Sequence, residues 1–272
     1  MLKTVGKNVW AFDIEWVPDA NAGRAIYGCA EDMPEEKVWD VMWSEAGATP
    51  ENPRPFLKIA LSKIVSIAAV VRRFSTGNND IQLLSLPKEP KSVPAETEAS
   101  IIERFLDGVG DKKPQLVGYN SMNSDIKILI QRGVANGISA AGFSKRPNKP
   151  WEGYDYFARG NEGHIDLGDV LGGWGKSMPS LNEMATISGI PGKLDMAGSD
   201  VAVRYLRGEI KEIIAYNEFD ALTTYLLWLR VAHFAGFFDE SEYEHEQDLV
   251  RNLLKASIAE KPHLQIYLDA WK

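Results

Sequence analysis

The chain has 272 residues, of which 44% are hydrophobic, and carries a formal net charge of −8 at pH 7. This supplies one large core or two small ones and excludes a disordered or fibrous chain. The acidic balance argues against a broad basic surface that grips nucleic acid, but not against a local groove, and two bound divalent cations would offset half of it.

The single cysteine, Cys29, excludes an intramolecular disulfide framework and a cysteine zinc cage, which fits a reducing compartment. Apolar runs such as IVSIAAVV at 64–71 fall short of a membrane span, and the N-terminal segment lacks a signal-peptide core. The expectation is a cytoplasmic protein with no membrane partner.

In chain order, VWAFDIEWVPD at 9–19 reads as a strand over about 8–16. Strand alternation puts Asp13 and Glu15 on one face, with Phe12 and Ile14 on the other. Two like charges repel and each is costly to bury, so the pair calls for a cation or a proton between them. From Val17 to Ser62 no steady period appears. That stretch reads as an insertion, which Trp39 and Trp43 make a packing arm rather than a lid.

KIVSIAAVVRRF and DIQLLSLP are β-rich runs joined by the turn formers STGNN, so the sheet begins as an antiparallel meander. EASIIERFLDGV has helical spacing, and PQLVGYN is a short buried strand. SDIKILIQRGVANG is a helix ended by glycine, HIDLGDVL a strand leaving into a loop, and SLNEMATISG and SDVAVRYLRG further helices. The clearest helix spans about 209–234, with an apolar stripe that includes Ile213, Leu222, Leu226 and Leu229. The sum is an α/β domain followed, from about Glu240, by a helical appendage.

A D-x-E triplet is weak alone, since about one arises by chance in so acidic a chain. Adjacent carboxylates on one face nevertheless suit a hard cation such as Mg²⁺, whereas glycosidase carboxylates stand apart across a sugar bond. In VGYNSMNSDIKIL, Asn123 or Ser124 can cap a helix and place Asp125 in its first turn, beyond a strand's C-terminal end. A favourable helix-dipole charge is the simpler reading of Asp125. Tyr216 and Asp220 lie one helical turn apart on one face. His164 and Asp169 offer a competing pair, but they fall in a strand-like run broken by Gly168, so His164 reads as structural.

Together FDIEW, GYNSMNSD and YNEFD resemble the three motifs of the DEDD 3′-5′ exonucleases of the ribonuclease H-like superfamily, the last in its tyrosine form. The chain is most similar to the proofreading exonuclease domain of B-family DNA polymerases and to stand-alone exonucleases related to it. HIDLGDVL, SLNEMA and GIPGKLDMAGSDV extend the resemblance over about residues 9–232. Ser124 departs from it, standing where the polymerase pattern has an aromatic residue.

The resemblance implies an α/β, ribonuclease H-like mixed sheet, antiparallel in its first three strands and then parallel, flanked by helices. It implies an exonuclease domain over 1–240 with an insertion at about 17–62, and a C-terminal helical appendage of the same domain at 241–272. It further implies two Mg²⁺ or Mn²⁺ ions: Asp13 bridging them, Glu15 and Asp220 on the first, Asp125 on the second, with Tyr216 orienting the attacking water. The activity implied is removal of nucleoside monophosphates from single-stranded DNA 3′ ends. The main chain around Phe12, Ile14 and Trp16 and the Asn120 amide resemble positions that hold the terminal nucleotide.

Lys145, Arg146 and Lys149, mixed with Trp151, Tyr154, Tyr156 and Phe157, could clamp single-stranded bases, against the simpler reading of an anchored surface loop. Lys193 could meet a phosphate, although an ordinary turn lysine is the simpler reading. An exoribonuclease is one alternative, and a noncatalytic module that binds nucleic acid or a replication partner is another. Four carboxylates plus Tyr216 speak against the second. A replication or repair partner and the oligomeric state stay open.

Overall fold

The computed structural model describes residues 2–75, 78–88, 96–149, 152–172, 178–192, 194 and 198–272. Strand β1 (Asn8–Pro18) leads into two helices, α1 (Ala20–Tyr27) and α2 (Glu35–Glu45), which the reading of 17–62 as aperiodic did not reveal. For α1 the reason lies in its contact with α2. Helix α1 buries only Ala20 and Gly23, and a Cβ on Gly23 would sit 2.6 Å from both Val38 and Met42 of α2. A face made of alanine and glycine hides α1, while α2 carries the i, i+4 pairs Val38–Met42 and Trp39–Trp43, of which the sequence reading took the tryptophans only as packing residues. Asp19 caps α1 by accepting from the Asn21 amide at 3.0 Å, and Gly28, at φ 67°, ends it.

Strands β2 (Ser62–Ser75) and β3 (Asn78–Leu86) form the antiparallel meander, and helix α3 (Glu98–Lys112) returns the chain to β4 (Gln115–Gly118). The central residues of the STGNN turn lie outside the described residues. Helices α4 (Asp125–Ala135) and α5 (Ala141–Ser144) precede β5 (His164–Asp166). The sheet order is β3-β2-β1-β4-β5, antiparallel between β1, β2 and β3 and parallel from β1 through β4 to β5, a ribonuclease H-like arrangement.

HIDLGDVL is shorter as a strand than its sequence suggests, and it leaves into helix α6 (Leu167–Gly172) rather than a loop. The Asp166 carboxylate accepts the Gly168 amide at 2.9 Å and turns the chain from strand into helix. Helices α7 (Leu181–Ile187) and α8 (Val201–Leu206) follow, then α9 (Ile210–Phe234), α10 (Glu240–Ser257) and α11 (Leu264–Ala270). No helix among the described residues is long and apolar enough to cross a membrane.

The two faces of β1 serve two cores. Trp10, Phe12 and Ile14 pack toward α3 and α4, while Val9 and Ala11 pack toward α9. Ala11, Ser66 and Ala68, all fully buried, keep the sheet low where α9 crosses it. Helix α9 is buried over far more than a stripe, because Val250, Leu254, Leu264 and Tyr267 of α10 and α11 cover its outer side.

A buried ion cluster pins the C-terminal end of β1. Arg132 Nη2 lies 2.7 Å from Asp19 Oδ2 and from Glu98 Oε2, and its Nε lies 2.8 Å from Glu98 Oε1. Removing the cation strands two carboxylates, so Arg132→Ala should lower unfolding free energy by about 3–5 kcal/mol in a urea titration. A loss below about 1 kcal/mol would contradict this account of the cluster.

Candidate active site

Asp13 pairs across the sheet with Ala68, and Glu15 pairs with Ser66. The register then slips between Glu15 and Trp16, so strict alternation ends just after the second carboxylate. Their shared face meets α9 at Tyr216, Asn217 and Asp220. Carboxylate oxygens of Asp13, Glu15 and Asp220 all lie within 4.8 Å of one another, and the three residues are half-buried.

Burial, and after it the charges of Asp125, Asp220 and Glu15, hold the Asp13 carboxyl well above the ordinary carboxylate range. Glu15 is raised well above its ordinary value by burial and then by Asp220 and Asp125. What opposes these forces at Asp13 is neutral: Asn217 Nδ2 donates to Asp13 Oδ2 at 2.8 Å. A converging set of hard oxygen donors that repel one another in a half-buried pocket fits a divalent cation of the Mg²⁺ or Mn²⁺ kind.

Asp125 lies beside this triangle rather than within it, buried at the start of α4. Among the carboxylates it raises Asp13 the most. Its own pKa is pushed up to about 7 by burial, against hydrogen bonds from Ser124 and from the backbone of Asp125 and Ile14, with Asp166 adding to the rise. Ser124 occupies the N-cap position but does not cap the helix. Its hydroxyl lies 2.6 Å from Asp125 Oδ2 and 2.9 Å from the Asn120 carbonyl. A hydrogen bond from Ser124 therefore seats the Asp125 carboxylate.

Tyr216 is buried and hydrogen-bonded to Asp220, one turn along the helix. Burial first, then the charges of Asp220, Glu15 and Asp13, raises its pKa far above the ordinary phenol value, so it keeps its proton.

Two residues at the site escaped the sequence reading. Asn217, fully buried, holds Asp13 and accepts from the Ser66 hydroxyl at 3.2 Å. Asp166 accepts the Met122 amide at 2.9 Å and so fixes the turn ahead of Asp125. The position of Asn217 directly after Tyr216 was the one available signal.

The other candidates divide. Phe12 and Ile14 bury their side chains in the opposite core, and Trp16 is half-buried. Asn120, at φ 54°, accepts from Asn123 Nδ2 at 2.9 Å. His164 is buried with Nε2 2.9 Å from the Ser121 hydroxyl, and burial lowers its pKa to about 4, which fits a structural role. Asp169 pairs with Arg159.

The proposed base clamp is largely used up internally. Arg146 pairs with Asp155 at 2.8 Å and Lys149 with Glu152 at 3.7 Å. Tyr156 is buried against Phe143 with its hydroxyl on the Pro114 carbonyl, Tyr154 stacks on Tyr156, and Phe157 packs edge-on against Phe143. An anchored loop describes this segment better than a clamp. Trp151 and Lys193 lie outside the described residues.

The cluster gives metal-free stability a definite pH dependence. Asp125 has a folded pKa of about 7 against an ordinary 3.8, so the folded protein keeps a proton that the unfolded chain releases. Its contribution is present below about pH 4 and is lost as pH rises through about 7. Asp13→Asn removes one charge from the same cluster and should raise the melting temperature in EDTA by ~2–4 °C at pH 8, with no gain at pH 4. A lower melting temperature at pH 8 would count against mutual repulsion.

The model of a family described as "Predicted 3′-5′ exonuclease related to the exonuclease domain of PolB" matches residues 54–271. No curated protein matches the chain. The matched stretch takes in Asp125, Tyr216, Asn217 and Asp220 and begins after β1, so Asp13 and Glu15 join them through the fold rather than through the match. With most of its length matched, the chain belongs to the family of predicted 3′-5′ exonucleases related to the exonuclease domain of PolB.

Proposed function

We propose that the protein is a divalent-cation-dependent 3′-5′ exonuclease that removes nucleoside monophosphates from single-stranded 3′ ends, with DNA as its polymer. The observation that carries this reading is the meeting of Asp13 and Glu15 with Asp220 within 4.8 Å, in a chain of an exonuclease family. Asp13, Glu15 and Asp220 would hold one cation, and Asp13 with Asp125 a second. When bound, such ions lower the pKa of a water and offset phosphate charge.

The side chains supply position. Asn217, held by Ser66, fixes the Asp13 carboxylate. Tyr216 directs its hydroxyl hydrogen to Asp220, which leaves the phenol oxygen able to accept a hydrogen bond from the attacking water and aim it at phosphorus. That water adds to the terminal phosphodiester, the bond from phosphorus to the penultimate O3′ breaks, and the proton passes to that oxygen. The products are a nucleoside 5′-monophosphate and a strand one residue shorter. DNA is favoured by the relation to a DNA polymerase's exonuclease domain; RNA is the alternative that the assay must separate.

Mononucleotide release from 3′-labelled single-stranded DNA and RNA oligomers, with Mn²⁺, Mg²⁺ or EDTA, tests the reading. Release should require a divalent cation and favour DNA, and should fall by about 10³-fold in Asp13→Ala and in Asp220→Ala. Tyr216→Phe and Asn217→Ala, which disturb orientation alone, should each cost about 10²-fold in kcat. Well-folded wild type that releases nothing from either polymer would favour a binding module instead.

A further inference from the structure

The arm between β1 and β2 does more than pack. Trp39, fully buried, and Val38 and Met42 fix α1 and α2 in a core that also holds Ile213 and Tyr216 of α9. Further along the arm, Leu57 is buried while its neighbour Phe56 is 75% exposed. One exposed aromatic is ordinary on a protein surface. Phe56, however, stands on the rim of a groove of about 150 Å³ whose walls include Trp16, Trp43, Arg54 and Ala202.

Position and charge limit what this groove can take. Trp16, Val17 and Pro18 line it, so it begins one residue beyond Glu15. At about 3.3 Å per strand residue it extends roughly 10 Å from that carboxylate, within the reach of a strand whose end is held at the site. The Arg54 guanidinium lies 5.4 Å from the centre of the Trp43 ring, is exposed, and makes no ion pair among the described residues. A solvent-facing phenyl ring, a half-buried indole and an unpaired guanidinium, on a chain of net charge −8, match an unpaired base and its phosphate. The groove is too small and open to enclose a free cofactor.

We propose that this groove is a base-stacking subsite for single-stranded nucleic acid, in which Phe56 and Trp16 meet a base and Arg54 meets its phosphate. It rests on the exonuclease reading for the direction of the strand. The subsite holds the strand upstream of the residue being removed, which supplies affinity that an acidic surface otherwise withholds.

The test compares wild type with Phe56→Ala, Arg54→Gln and Phe56→Trp, all at exposed positions. Binding of a 5′-fluorescein-labelled oligothymidylate of about ten nucleotides is read by anisotropy with Ca²⁺ in place of Mn²⁺, and trimming is read with Mn²⁺ on the same oligomer and on a dinucleotide. Phe56→Ala and Arg54→Gln should each weaken oligomer binding by about five-fold or more, raise KM for the oligomer, and leave kcat within about two-fold. Phe56→Trp should restore binding, and the dinucleotide should not distinguish the variants.

Unchanged binding and KM in both variants, with wild type trimming normally, would overturn the subsite and leave the exonuclease reading intact. Oligomer binding that depends on Phe56 in a protein that trims nothing would uphold the subsite and sink the exonuclease reading. A wild type that neither binds nor trims would overturn both.

Discussion

The structure turns on one electrostatic conflict: like charges brought together beside a helix that carries another. Asp13 and Glu15 share a strand face by alternation alone, and the crossing of α9 brings Asp220 to them. The helix must then be fixed in rotation as well as position, because a turn of one residue would carry Asp220 away. Successive residues of α9 do this with different partners. Asn217 holds Asp13, and Glu218, on another side, takes Lys261 Nζ at 2.5 Å and His263 Nε2 at 2.6 Å. The chain ahead of α11 thereby sets the rotation of the helix that carries Tyr216 and Asp220.

Other buried acids of this protein show what the site lacks. Glu246 is held by Arg72, with Nε 2.9 and 3.0 Å from its two oxygens, and also receives the Tyr225 hydroxyl at 3.2 Å. Asp19 and Glu98 share Arg132. Burial alone would raise the pKa of Glu218, but His263 and Lys261 outweigh it and hold the carboxyl below its ordinary value. Asp13 and Glu15 have no such cation among the described residues, and their pKa values move the opposite way. Asp166, also buried, is held by the Met122 and Gly168 amides instead. Asp13 and Glu15 thus differ from Glu246, Glu218, Asp19 and Glu98 in having no protein cation among the described residues, a contrast that supports the proposed role for a divalent ion.

Much of this was legible in the sequence. The alternation of FDIEW, the long period of α9 and the i, i+4 spacing of Tyr216 and Asp220 each encode a local geometry, and the structure brings Asp13, Glu15 and Asp220 together with Asp125 beside them. Most of the missing parts lack a local signature. Helix α1 buries only the small Ala20 and Gly23, which mark no apolar face, whereas α2 does carry the i, i+4 pairs Val38–Met42 and Trp39–Trp43, a period the sequence reading passed over. Asn217 looks like any helical asparagine until Asp13 and Ser66 arrive from distant strands. The loop near Lys145 left two readings open in sequence, and in space Arg146 and Lys149 are paired and Tyr154, Tyr156 and Phe157 are packed, as the simpler reading of an anchored loop expects.

The most direct measurement is calorimetric titration of the wild-type protein with Mn²⁺ near pH 7 in buffers of different ionisation enthalpy, which counts ions bound and protons released together. If these carboxylates are kept for cations, about two Mn²⁺ ions should bind, displacing protons held by groups such as Asp125, and Asp13→Asn should lose most of that binding. Folded wild type that takes up no Mn²⁺ and releases no protons would contradict the account at its centre.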